Sequence, residues 1–148
     1  MYGSDGFDIV NDVLAPPSYA TVTPSGQNNY TWVASTTDVR ALQKGSAQAT
    51  DRIAACWYGS QFTIDVNLTD GQTHAVSLYA LDWDSTGRAE RIDVIDPSTS
   101  NVLDTRSISS FQNGEYLTWN LKGHVQFRVT STAGPNAVIS GLFFGTKV

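Results

Sequence analysis

The stretch "FTIDVNLTDGQTHAVSLYALDWD", Phe62 to Asp84, restricts the fold more than any other part of the chain. In "FTIDVNL", Phe62, Ile64, Val66 and Leu68 point one way and Thr63, Asp65 and Asn67 the other, the period of a half-buried strand. A helix would scatter the same apolar residues around its whole circumference. "TDGQT" is a hairpin signal leading into a second apolar run. The pattern continues through "RIDVID", the turn "PSTSN" and "VLDTRSI". After "SSFQNG" come "EYLTWNL", the tight turn "KG" and "HVQFRV"; beyond "STAGPN" the chain closes with "AVISGLFFG". The N-terminal third is less regular, with "GFDIV", "YTWVAS", "RALQ" and "RIAACWY" as its strand candidates. Turn signals about every 8–12 residues predict an all-β sandwich or barrel, and the fold expected here is a two-sheet antiparallel β-sandwich. "STTDVRALQKG" supports one capped helical turn at most.

At 148 residues, one domain spanning 1–148 is expected. The single cysteine, Cys56, excludes an internal disulfide and a cysteine-based zinc site, and its setting in "IAACWY" marks it as a small buried hydrophobe. No apolar run approaches the ~20 residues of a membrane-spanning helix. Nine Lys and Arg against fourteen Asp and Glu give a net charge of −5, which argues against nucleic acid or an anionic membrane as partner. A surface rich in Ser, Thr, Asn and Gly, with four Trp and six Tyr, suits a secreted binding module. The start, "MYGSDGF", leads almost directly into strand-like sequence and suggests a module taken from a larger protein with an added Met.

Antiparallel strands reverse direction at every connection, so the end on which each loop lies can be counted. One end is expected to gather Trp57, Tyr58, Trp83, Asp84, Arg88, Phe111, Asn113 and Asn136; the other collects Asp70, His74, Asp96, Lys122 and His124. The first set pairs aromatic surface with carboxylate, amide and guanidinium groups. Sugars require that mixture, because their C–H faces stack on aromatic rings and their hydroxyls take charge-assisted hydrogen bonds. Trp57, Tyr58, Trp83, Asp84, Arg88, Phe111 and Asn113 are therefore the candidate ligand-binding residues. The bland alternative makes Trp83 a core cap and Asp84–Arg88 a turn-closing ion pair. Trp32 and Trp119 lie within alternating runs and are assigned to the core. A second candidate surface is an outward row on one sheet, Asp65, Asn67, Tyr79, Tyr116, Asn120 and Arg128.

No catalytic residue is assigned. Asp82 and Asp84 would stand ~7 Å apart on one strand face, whereas glycoside hydrolysis needs carboxyl groups flanking the scissile bond. His74 and His124 occur without a metalloprotease or nucleophile-elbow motif and are assigned to the surface. No metal ligand is assigned either. "GSDGFDIVND" offers Asp5, Asp8, Asn11 and Asp12 as oxygen donors, so a structural Ca2+ stands as the alternative to plain Asx turns there.

Taken with "YGSDGFDIVND", "SYATVTPSG", "DVRALQ", "DRIAACWY", "LYALDWDSTGR", "FQNGEYLTWNLKGHV" and "NAVISGLFFG", the chain resembles β-sandwich modules appended to large secreted bacterial proteins. The architecture resembles the galactose-binding-like jelly rolls that house many carbohydrate-binding modules. The resemblance implies a non-catalytic module that holds an attached enzyme or surface protein on a polysaccharide; a monomeric, extracellular domain is expected. It supplies no residue-level binding motif. The competing expectations are a structural or adhesive protein-interaction module and, behind it, a glycoside-active enzyme domain.

Overall fold

The structure is a computed structural model that describes residues 2–148. The chain begins with β1 (Gly6–Ile9), β2 (Leu14–Ala15), β3 (Ala20–Ser25), β4 (Asn28–Thr36) and β5 (Leu42–Gln43). Then come β6 (Arg52–Gly59), β7 (Gln61–Leu68), β8 (His74–Ala80), β9 (Ala89–Asp96) and β10 (Asn101–Ser109). It ends with β11 (Glu115–Leu121), β12 (His124–Ala133), β13 (Ala137–Ile139) and β14 (Gly141–Thr146). No helix occurs among the described residues.

Two five-stranded antiparallel sheets form the sandwich. The front sheet runs β11-β8-β14-β1-β2 and the back sheet β10-β9-β12-β7-β3. From β7 onward the chain repeatedly crosses between them, which is jelly-roll wiring. A third, smaller sheet, β13-β6-β4 with β5 added on β6, continues the sandwich at one end. The sequence pattern called for two sheets. The third arises because the chain turns out of each large sheet at short breaks, Ser60 between β6 and β7 and Ser140 between β13 and β14.

"TDGQT" is not a hairpin. It carries the chain from the back sheet to the front one, and "KG" carries it back again. "PSTSN" is a true hairpin, joining β9 to β10 with Asp96 opposite Asn101. Because both kinds of connection reverse the strand, the assignment of loops to ends is unaffected. The proposed outward row is divided, however. Asp65, Asn67 and Arg128 belong to the back sheet, while Tyr79, Tyr116 and Asn120 belong to the front sheet.

Alternation explains the core. Phe62, Ile64, Val66 and Leu68 of β7 meet Val76, Leu78, Leu142 and Phe144 of the front sheet inside the sandwich. Each such fully buried side chain contributes roughly 1.5–3 kcal/mol. Trp119 is buried there, as its alternating run implies. β8 is buried on both faces, because a second cluster covers its outward side with Leu42, Ile53, Tyr79, Leu81 and Phe143.

Candidate functional site

One end of the sandwich holds a pocket of about 230 Å3 lined by Tyr30, Trp32, Tyr58, Asp84, Arg88 and Asn136, with Cys56 also in its wall. Its aromatic wall comes from the small sheet. Tyr30 lies opposite Cys56 in the β4–β6 pairing, so Tyr58, two residues beyond Cys56, stands on the same face. The rings of Tyr30 and Tyr58 are perpendicular, with centroids 6.4 Å apart, and Trp32 meets Tyr30 edge-on at 6.5 Å. Tyr30 is 53% exposed, so this wall is open to water.

The polar wall is built around Arg88, which is only 4% exposed. Its Nη1 donates to Asp82 Oδ1 at 2.7 Å and also to Asp84 Oδ1; its Nε donates to Asn136 Oδ1 at 3.0 Å. The guanidinium carbon lies 5.6 Å from the centre of the Trp32 ring. Asp82 is wholly buried. Burial disfavours its charge, but bonds from the Ser85 hydroxyl, the Arg88 side chain and the Arg88 amide outweigh that and hold the carboxyl below its usual range. For Arg88, burial is likewise outweighed by bonding to Asp84 and Asp82, so it stays firmly charged. Two carboxylates share one cation, leaving the pocket mouth mildly negative at the half-exposed Asp84.

A close backbone approach seats Asn136 beside Arg88. Gly134 has φ +80°, and a Cβ there would lie 2.9 Å from Arg88 Cα and 3.0 Å from the Gly87 carbonyl. Gly134→Ala is expected to cost about 1–3 kcal/mol, read as a lowered melting temperature. Gly71→Ala, also at positive φ but in open space, is the control and should cost less.

Of the residues picked from sequence, Tyr58, Asp84 and Arg88 meet in this pocket together with Asn136. Trp57 does not join them. It is adjacent to Tyr58 on a strand, so it points to the opposite face and is 3% exposed in the core. Phe111 is 2% exposed, because its loop folds inward and its carbonyl accepts the Asp82 amide. Trp83 packs on the second cluster under Arg40, whose guanidinium lies 4.4 Å from the ring centre. Asn113 is exposed in the turn after Phe111 and lies outside the pocket. Trp32, assigned to the core, packs against it only half-buried and also lines the pocket. The pair Tyr30 and Trp32 was missed; its signal is the spacing of two aromatics at i and i+2, which puts both on one strand face.

At the opposite end, His74 bonds Asp70 and stacks on Tyr19 at 3.7 Å, while His124 bonds Asp65. The oxygen donors near the N-terminus point to separate partners. Asp5 accepts from Tyr19, Asn11 donates to Thr31, Asp12 accepts the Gly45 amide, and Asp8 is buried in β1. No group of three or more His, Cys, Asp or Glu side chains able to hold a metal ion occurs among the described residues. Among the described residues, no helix is long and apolar enough to cross a membrane.

Comparison with protein-family models and with curated proteins finds no match. Among solved structures, the chain is similar to a carbohydrate binding module of Cellvibrio mixtus lichenase 5A in complex with cellotriose, at 14% identity and TM-score 0.49, covering 100% of both chains. A family 35 carbohydrate binding module from Clostridium thermocellum is similar at 15% identity and TM-score 0.46, over 96% of this chain and 99% of that one. The CBM36-1 domain of a multidomain xylanase from the hindgut metagenome of Trinervitermes trinervoides follows at 13% identity and TM-score 0.43, over 87% and 98%.

Proposed function

We propose that the protein is a non-catalytic carbohydrate-binding module that seats a neutral sugar residue in the pocket of Tyr30, Trp32, Tyr58, Asp84, Arg88 and Asn136. The observation carrying this reading is the pairing of open, mutually perpendicular tyrosines with a pre-oriented arginine–carboxylate–amide wall. A sugar C–H face stacks on the rings, and its hydroxyls bond to Asp84, Arg88 and Asn136. The polar groups are held by one another before ligand arrives, so binding costs little ordering. The volume is below the roughly 300–1,000 Å3 of drug-sized ligand pockets, in keeping with one ring. Affinity for a single site this shallow falls at about 10 μM to 1 mM.

The reading is of a binding domain and not an enzyme. Asp82 and Asp84 converge on one guanidinium and do not flank a cleft. Glu90 and Asp8, the carboxyls that burial pushes up to about 8 and about 6, are both buried and neither lines the pocket. Such a module belongs to a larger extracellular protein, which it holds on polysaccharide.

Affinity electrophoresis against neutral β-glucans, mannans, xylans and galactans tests the proposal. At least one should retard the protein, and Tyr58→Ala should abolish the retardation while the melting temperature stays within a few degrees. Trp83→Ala should leave binding intact. Retardation by none of these polymers, or retardation that survives Tyr58→Ala, would overturn the assignment.

A further inference from the structure

The strand β13 is three residues long and forms an edge of the small sheet, paired with β6 alone. That pairing sets Val138 opposite Tyr58, and Asn136 stands immediately before the strand, so two pocket residues depend on where β13 lies. Its other hold is a single side chain. Glu90 of β9 reaches across with Oε1 to accept the Val138 amide at 2.9 Å. Two residues earlier in the chain, Arg88 Nε donates to Asn136 Oδ1 at 3.0 Å.

Glu90 is 0% exposed, and its second oxygen has no partner among the described residues. The charged groups that act on it are Arg88 and Asp82, from the connection before β9. Its register partners on the flanking strands, Ile108 of β10 and Ser131 of β12, carry no charge. From β6 it faces Cys56, which burial keeps a thiol by pushing its pKa up to about 12. Arg88 is already shared by Asp82 and Asp84, so an ionised Glu90 would be a third carboxylate on one cation. An unpaired buried charge is relieved by letting water in. β9 is hydrogen-bonded between β10 and β12 and cannot yield. β13 has one strand neighbour, and residues 132–135 leading into it are exposed, so β13 gives way.

We infer that Glu90 is a proton-operated latch on the pocket: protonated, it holds β13 and Asn136 in place; ionised, it releases them. The latch is a property of the free protein; its consequence for a ligand rests on the pocket being the sugar site proposed above. The folded-state proton is lost around pH 8. The latch is therefore closed in neutral solution and opens as pH rises. Only about a tenth of the molecules stay latched at pH 9, so affinity there should be about ten-fold weaker than at pH 7.

Carbon NMR of the wild-type protein without sugar reads the latch directly, at the Glu90 carboxyl and the Val138 and Ile139 methyl groups between pH 7 and pH 9. That window lies above the range of Asp8, whose pKa burial raises to about 6. Carboxyl and methyls should titrate together with a midpoint near pH 8, while the methyls of Ile64 and Leu142 stay still. In Glu90→Gln, whose side-chain oxygen can still accept the Val138 amide, the β13 methyls should not move. Calorimetry with the neutral oligosaccharide chosen by electrophoresis should show the ten-fold weakening in wild type and a level affinity in Glu90→Gln. Sugar binding at neither pH, with the β13 methyls titrating as described, supports the latch and removes only the sugar reading. Methyls of β13 that stay still, or that move in step with the whole core, would overturn the inference, as would equal weakening of binding in both proteins.

Discussion

Replacing Arg88 by Ala is expected to destabilise the domain by about 3–5 kcal/mol, the range for removing one partner of a buried ion pair. Asp82, wholly buried, would keep its charge with only Ser85 and the Arg88 amide to bond it. Asn136 would lose its donor, and the 134–136 loop its tether to the pocket. Against a total stability of 5–15 kcal/mol typical of single domains, the melting temperature should fall by roughly 10 °C. Asp84→Asn is the contrast. Asp84 is half-exposed in its pair with Arg88, and such pairs contribute under about 1 kcal/mol. Replacing Arg88 and Asp82 together by Met and Leu should cost much less than Arg88→Ala, because no unpaired charge is left behind. Thermal melts of the three variants measure this directly. Equal losses for Arg88→Ala and Asp84→Asn would show that Arg88 is not the keystone of this end.

Glu90 should make the protein more stable in mild acid than in mild base. It is fully buried in β9; its Oε1 accepts the Val138 amide at 2.9 Å and its Oε2 has no partner. Burial pushes its pKa up to about 8; the Val138 amide and Arg88 pull the other way, and Asp82 adds to the rise. The folded state therefore binds a proton that the unfolded chain, with an ordinary pKa of 4.5, releases. Where the native state holds more protons, stability falls as pH rises. The contribution is complete below about pH 4.5, fades up to about pH 8 and is gone beyond it. Asp8, pushed by burial to about 6, adds a slope of the same sign at lower pH. Between pH 5.5 and 9 the Glu90 effect is on the order of 3 kcal/mol. Glu90→Gln keeps the bond to Val138 without the charge, so it should be more stable than wild type at pH 9 and flatten the profile. Denaturant titrations at pH 5.5 and 9 provide the measurement. Identical wild-type stabilities at the two values would show that Glu90 titrates normally.

Most strands and their end-to-end order were legible because period-two alternation and direction reversal are local properties of the chain; β2 and β3, short or carrying Pro24 among loop-forming residues, were not read as strands. Which sheet each strand enters was not legible. The same Gly-containing turns serve hairpins and crossovers, and only packing decides, so "TDGQT" reads as a hairpin and "KG" as a tight turn while both join different sheets. Within the site, counting ends brought Tyr58, Asp84, Arg88 and Asn136 together correctly. It went too far with Trp57, where the alternation used elsewhere already assigns adjacent residues to opposite faces. Phe111 and Trp83 were misplaced for a different reason. Loop aromatics look exposed in a sequence, and only tertiary contacts, the Asp82–Phe111 backbone bond and Arg40 over Trp83, bury Phe111 and half-bury Trp83. Tyr30 and Trp32 lie on β4, whose pairing with β6 is irregular around Thr31–Val33. Whether the outward face of such an edge strand is covered depends on distant loops, which no local pattern records.

The central claim is that sugar binds where Tyr30, Trp32 and Tyr58 face Arg88. Its most direct test is an NMR titration of the wild-type domain with whichever neutral oligosaccharide the electrophoretic screen selects. The account predicts saturable shifts at the Trp32 indole, the Tyr30 and Tyr58 rings and the Asn136 side-chain amide, with the buried Trp57 indole still. Saturable shifts that spare all four groups, or that appear only on the sheet faces, would contradict it.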